Sequence, residues 1–158
     1  MDQPLRRPSL YFEDLKVGDV FLGGSIVLSE EQIISFARDY DPQPMHLDPK
    51  WAASGPHGCV IASGFQTAAL AFRLFYDLGV LDESNIIGIG IDELRWHAPV
   101  KAGMRLRSKV TLMDKRESRS KPDRGIANWQ FTLIDDEDTV LVSYTDMSIV
   151  RKKSPDAG

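Results

Sequence analysis

The spacing of apolar residues changes character twice along this chain. "DVFLGGSIVLS", residues 19–29, alternates and reads as a first strand, with Gly23 and Gly24 marking a bulge or a close backbone approach. From Ser29 the period lengthens. Ser29 and Gln32 form a capping-box signature, and Ile33, Phe36, Ala37 and Tyr40 follow at helical spacing. "ARDYDPQPMHLDP", residues 37–49, interrupts that helix with prolines. Asp48 then reads as a new N-cap with Pro49 at the first helical position, opening a short helix that ends by Gly55.

"SGFQTAALAFRLFYDLG", residues 63–79, is the most helical segment. Phe65, Ala68, Ala69, Phe72, Phe75 and Tyr76 form one apolar face; Leu70, Ala71, Leu74 and Leu78 form a second. Only a narrow polar edge remains, chiefly Gln66, Arg73 and Asp77, with Arg73 and Asp77 spaced to pair. A helix apolar almost all round belongs in the middle of a fold. After it, four runs read as strands, "NIIGIGIDELRWHAPV", "MRLRSKVTLM", "GIANWQFTLI" and "TVLVSYTDMSIV", joined by "KAG", "KPDRG" and "DDED". Short turns imply antiparallel pairing. The expectation is an α+β fold, an antiparallel sheet curled around one long central helix.

The sequence carries no repeat and no low-complexity linker, so it reads as one domain over 1–158 with a core from about residue 11 to about residue 150. The first ten residues, with Pro4 and Pro8, read as a loose arm, and the tail "RKKSPDAG" as frayed. With 158 residues, 42% hydrophobic and 27% charged, the composition is that of a soluble globular domain. A net charge of −4 gives no global reason to expect nucleic acid, although a local basic cluster can still bind a small anion. The single Cys59 excludes an internal disulfide and a zinc site built on several thiolates. No secretory h-region and no membrane-spanning run is visible, so the expected location is cytoplasmic, with no membrane partner.

Three groups of residues carry candidate chemistry. Asp41 precedes His46 by five positions, with Pro42 and Pro44 between them. One reading is a helix-to-loop turn with a capping aspartate and a surface histidine. The other is a stiff mount for an acid/base pair, since each proline restricts its own residue and the one before it. Ser63 and Gly64 open the apolar helix. They read either as an N-cap with packing relief, or as a site where free N–H groups meet developing negative charge. Arg116, Arg119, Lys121 and Arg124 crowd one turn, which is either a solvated loop or a phosphate contact. His57 and His97 offer no metal-ligand spacing with His46, so no metal is expected; His57 reads as bordering the site and His97 as packed or at a rim.

"DPQPMHLDP", followed by Gly64 eighteen residues after His46 in "IASGFQTAAL", resembles the MaoC-like dehydratases, the (R)-specific enoyl-CoA hydratase group. "PVKAGMRLRSKV" is similar to that family's turn and strand after the helix, and the likeness covers roughly residues 11–150. The family's hotdog fold, a sheet wrapped round a long helix, is thereby implied. So is its Asp/His dyad, carried onto Asp41 and His46, with Gly64 as the oxyanion donor. The family pattern is Asp-x-Asn-Pro-x-His; Gln43 stands here in place of Asn. The family's His-Gly becomes Ser63-Gly64, and a helix serine that supports the Asp in some members would fall at Phe72, so that support is expected to be missing.

The resemblance implies a hydro-lyase adding or removing water at an enoyl or 3-hydroxyacyl thioester of the kind met in fatty acid metabolism. Acyl-CoA is the implied substrate, with coenzyme A as part of the substrate and no separate cofactor. Gln43 and Ser63 are expected to line the site, Phe65 and Phe72 to hold the acyl chain, and Arg119, Lys121 and Arg124 to meet the coenzyme A phosphates. A hotdog acyl-CoA thioesterase and a non-catalytic acyl-CoA-binding subunit are the alternatives. Hotdog proteins pair edge to edge, so a homodimer or higher homo-oligomer is implied.

Overall fold

The computed structural model describes residues 6–154. Strand β1 (Val20–Val27) leads into helix α1 (Glu30–Tyr40), the short helices α2 (Pro44–Leu47) and α3 (Pro49–Ser54), and the long helix α4 (Gly64–Tyr76). Four strands follow: β2 (Asn85–Trp96), β3 (Arg105–Glu117), β4 (Arg124–Ile134) and β5 (Val140–Arg151). All pairings are antiparallel, and the sheet order is β1-β3-β4-β5-β2. The sheet packs α4 against β1, β3, β4 and β5. This is the α+β hotdog architecture that the periodicity and the resemblance implied.

Local signals hold at the helix ends. Ser29 and Gln32 make both bonds of the capping box. Asp48 caps α3 through the N–H groups of Lys50 and Trp51, Pro49 is its first residue, and Gly55 closes it. On β1, Gly23 and Gly24 fall where the register shifts between Leu22 and Ser25. A Cβ on Gly23 would lie 2.6 Å from the carbonyl oxygen of Leu74, so this glycine is required by the passage of α4 across β1.

Ala71, Leu74 and Phe75 are the fully buried side of α4. The Phe75 ring meets Phe21, Trp129 and Phe131 at centroid separations of 5.8, 5.6 and 5.3 Å, and Phe131 stacks on Tyr144 at 5.0 Å. These contacts anchor the helix whose first turn carries the site.

Four expectations are corrected. The arm is not loose over its described part: Arg7 and Leu10 donate their N–H groups to Leu78 and Val80, and Ser84 Oγ donates to the Leu10 carbonyl. The tail is tied as far as Lys153, which bonds Glu13 and Asp14; residues 1–5 and 155–158 lie outside the described residues. Tyr40, at helical spacing with the buried Ile33 and Ala37, is nonetheless 72% exposed and rests on Phe36 at the end of the helix. Gln66, assigned to the polar edge of α4, is buried and donates to the Gln32 carbonyl, whereas Phe65 and Phe72 are partly in solvent. The side of α4 left uncovered is therefore apolar, and Arg73 and Asp77 pair at 2.7 Å as their spacing implies.

Candidate functional site

Pro42 forces Asp41 out of helical conformation, and Asp41 becomes the C-cap of α1 at φ −151°, its N–H still bonded to the Ala37 carbonyl. Pro44, the first residue of α2, restarts the helix two residues later. The turn between them is closed by the Gln43 N–H on the Asp41 carbonyl. His46, one turn along, is thereby directed back toward Asp41. Both side chains are removed from solvent, and His46 Nε2 lies 3.4 Å from Asp41 Oδ2.

The imidazole is oriented from behind. Its Nδ1 lies 2.7 Å from the carbonyl oxygen of Ile61. A carbonyl only accepts, so Nδ1 carries the hydrogen and Nε2 presents its lone pair toward the carboxylate when the ring is neutral. Two acceptors then face each other, which is the arrangement that holds a water molecule by both its hydrogens.

Asp41 is tied at both oxygens. Ser63 Oγ donates to Oδ2 at 2.6 Å, and Gln43 Nε2 donates to Oδ1 at 2.8 Å. Burial is the largest single influence and pushes the carboxyl up, but the hydrogen bonds from Ser63 and Gln43, with a smaller electrostatic contribution from the neighbouring imidazole, together outweigh it. The carboxyl is held below the usual aspartate range and stays ionised at neutral pH.

Ser63 also caps α4, accepting the Phe65 N–H at 3.2 Å. Its hydroxyl corrects the expectation that Asp41 lacks a supporting serine: the support comes from the residue before the helix, not from position 72. Gly64 is the first residue of α4, so its N–H has no partner within the helix. The dyad and Gly64 open onto one cavity of about 540 Å³, walled by Met45, Ile61, Phe65, Trp96 and Val100. Gln43, His57 and His97 also border it, and His97 Nε2 lies 2.7 Å from Ser143 Oγ.

Five expected site residues do not line this cavity. Ser63 is fully buried and reaches the site only through its hydrogen bond to Asp41. Phe72 stacks on Tyr76 and Phe131 at 4.3 and 5.8 Å, further along α4. Arg119, Lys121 and Arg124 lie in and beside the β3–β4 turn, at the far end of β3 from Val100; Arg124 forms a bidentate pair with Asp123. Trp96 is a wall residue that the sequence reading passed over. Strict alternation from Ile91 would place it on the opposite face of β2, and only the observed register reveals where it points.

A five-stranded antiparallel sheet around one helix, with a buried carboxylate and imidazole paired beside that helix's N-terminus, defines a hotdog-fold protein with one candidate site. The model of the MaoC like domain matches residues 16–130, and the chain belongs to that family. It is 32% identical over 109 residues to protein YdeM of Bacillus subtilis, covering 69% of this chain and 77% of that one. It is 36% identical over 90 residues to 3-hydroxyacyl-thioester dehydratase Z of Mycobacterium tuberculosis, covering 56% of this chain and 60% of the relative's length. The crystal structure of the MaoC-like dehydratase from Rhodospirillum rubrum superposes with a TM-score of 0.84 at 33% identity, over 92% of this chain and 99% of that one.

Proposed function

We propose that this protein is a hydro-lyase that adds water to, or removes it from, an enoyl or 3-hydroxyacyl thioester, with acyl-CoA as substrate. The observation that carries the reading is the buried pair Asp41 and His46, 3.4 Å apart, with two acceptors directed at one point beside the cavity. In hydration, a water held between Oδ2 and Nε2 gives a proton to Asp41 as its oxygen bonds to the β-carbon. Asp41 hands that proton to His46, and His46 delivers it to the α-carbon. The hydroxyl at Cβ and the hydrogen at Cα account for the whole water molecule, and the dyad ends as it began. Dehydration is the reverse. Oxidation state does not change, so the reaction calls for no redox cofactor. The Gly64 N–H meets the charge that develops on the thioester oxygen; loss of such a donor costs on the order of a hundredfold in rate.

A second copy of the chain is the proposed partner. β2 is an edge strand whose Ile87, Ile89 and Ile91 are about half exposed, and α4 leaves Phe65, Ala69 and Phe72 uncovered. Ile91 pairs with the inward-facing Asp146, on the face that carries α4, so edge-to-edge pairing of β2 would cover Ile91 together with the uncovered side of α4.

The test is a panel of enoyl- and 3-hydroxyacyl-CoAs followed by absorbance of the conjugated thioester. Loss of that band with enoyl-CoAs is expected. Release of free thiol from saturated acyl-CoAs, with no hydration, would assign the protein to the thioesterases instead.

A further inference from the structure

We infer that the indole N–H of Trp96 is a second hydrogen-bond donor to the thioester oxygen, acting beside the Gly64 N–H; this rests on the hydro-lyase reading above. Three observations converge. First, β2 is built to bring Trp96 to the site. Ile91 pairs with Asp146 and Trp96 with Val142, and Asp146 and Val142 lie on the same face of β5. Ile91 and Trp96 therefore share a face although they are five positions apart, which an alternating strand does not allow. The extra residue lies in the register shift between Asp92 and Arg95, where Glu93 takes φ 53°, in the left-handed region that a glutamate rarely occupies. A bulge of this kind re-aims a side chain, and here it turns the indole onto the face that carries α4.

Second, the indole N–H end lies against the proposed oxyanion donor. A Cβ on Gly64 would be 2.3 Å from Trp96 Nε1. Standard geometry puts a Cβ about 2.5 Å from its own backbone nitrogen, so Nε1 and the Gly64 nitrogen are at most roughly 5 Å apart. Two donors at that separation can both reach one oxygen at about 2.9 Å. The same closeness explains why position 64 must be glycine: any side chain there would displace the indole.

Third, the donor is free. Among the described residues the recorded partner of Trp96 is the ring of Phe65, edge-on at 5.8 Å, and no acceptor is recorded for Nε1. Trp96 lines the cavity together with Asp41, His46 and Gly64, and half of its surface is exposed. An indole N–H donates only and usually finds a partner when ligand or protein closes over it. A thioester oxygen docked on the N-terminus of α4 would be that partner.

The proposal is tested by two readouts. Trp96→Phe keeps an aromatic ring, though a smaller one, and removes the N–H; kcat for an enoyl-CoA is expected to fall about 10- to 100-fold, with a much smaller change in KM. In the wild type, the indole N–H resonance of Trp96, assigned by its loss in Trp96→Phe, should move on adding butyryl-CoA and stay in place on adding S-butyl-CoA, the thioether without the carbonyl. A Trp96→Phe enzyme with wild-type kcat, or an indole resonance that responds alike to both ligands, would overturn it. If the wild type hydrates no enoyl-CoA, the hydro-lyase reading fails while the resonance experiment still decides whether Trp96 binds a thioester carbonyl.

Discussion

The hydroxyl of Ser63 joins two parts of the site: it donates to Asp41 Oδ2 at 2.6 Å and accepts the Phe65 N–H at 3.2 Å. One side chain thus anchors the catalytic candidate to the N-terminus of α4. Ser63→Ala removes both bonds. The helix loses its cap at a cost of about 1 kcal/mol, and the buried carboxylate loses a donor worth about 1–3 kcal/mol. The sign for pH follows from the depressed carboxyl of Asp41. Its stabilisation is present above the ordinary aspartate pKa and is lost as pH falls through the lower folded value. Ser63→Ala raises that folded value, so the acid limb of the rate profile should move to higher pH. Denaturant unfolding should show a stability deficit at neutral pH that narrows in acid.

Asp41→Asn removes the carboxylate that takes the proton from water, and His46→Ala removes the imidazole acceptor on the other side of it. Turnover of an enoyl-CoA should drop at least about 10²–10⁴-fold in either variant, with the fold retained by circular dichroism. Near wild-type turnover in either would refute the dyad assignment.

Asp146 is a second buried carboxylate, outside the cavity and on the inner face of β5. Burial pushes its carboxyl up to about 6. The phenols facing it, Tyr76 and Tyr144, are themselves raised by burial and by the Asp146 charge, so they remain neutral, and among the described residues no cation offsets the burial. Between the unfolded pKa near 4 and the folded value near 6, the native state holds the proton and the unfolded state does not. Stability therefore falls as pH rises through that window. Asp146→Asn should raise stability at pH 7 by up to about 3 kcal/mol and leave it nearly unchanged at pH 4, as read by thermal unfolding at the two pH values.

Pairing through β2 makes a prediction about Ile91, which is 54% exposed in the single chain. A lysine there costs an isolated chain little, within about 0.5 kcal/mol, but places a charge in the proposed interface. Light scattering should give twice the chain mass for the wild type and a shift toward one chain mass for Ile91→Lys. A wild type at one chain mass would rule out the pairing.

Sequence alone determined the elements and much of the site. The prolines around Asp41, the capping box of α1, the Asp48–Pro49 start of α3 and the Ser63–Gly64 start of α4 are local devices, and local devices are legible because their partners lie within a few residues. Asp41, His46 and Gly64 were singled out by their resemblance to a family motif, since the residues by themselves also allowed a plain turn and a plain N-cap. Only the tertiary structure decided that Ser63 reaches across twenty-two positions to Asp41, that Gln66 is buried while Phe72 is not, and that the basic turn lies away from the cavity. It also decided the face of Trp96, because one extra residue in the pairing of β2 with β5 inverts the alternation. A strand's register is set by the neighbour it pairs with, and no period along a single chain can record that.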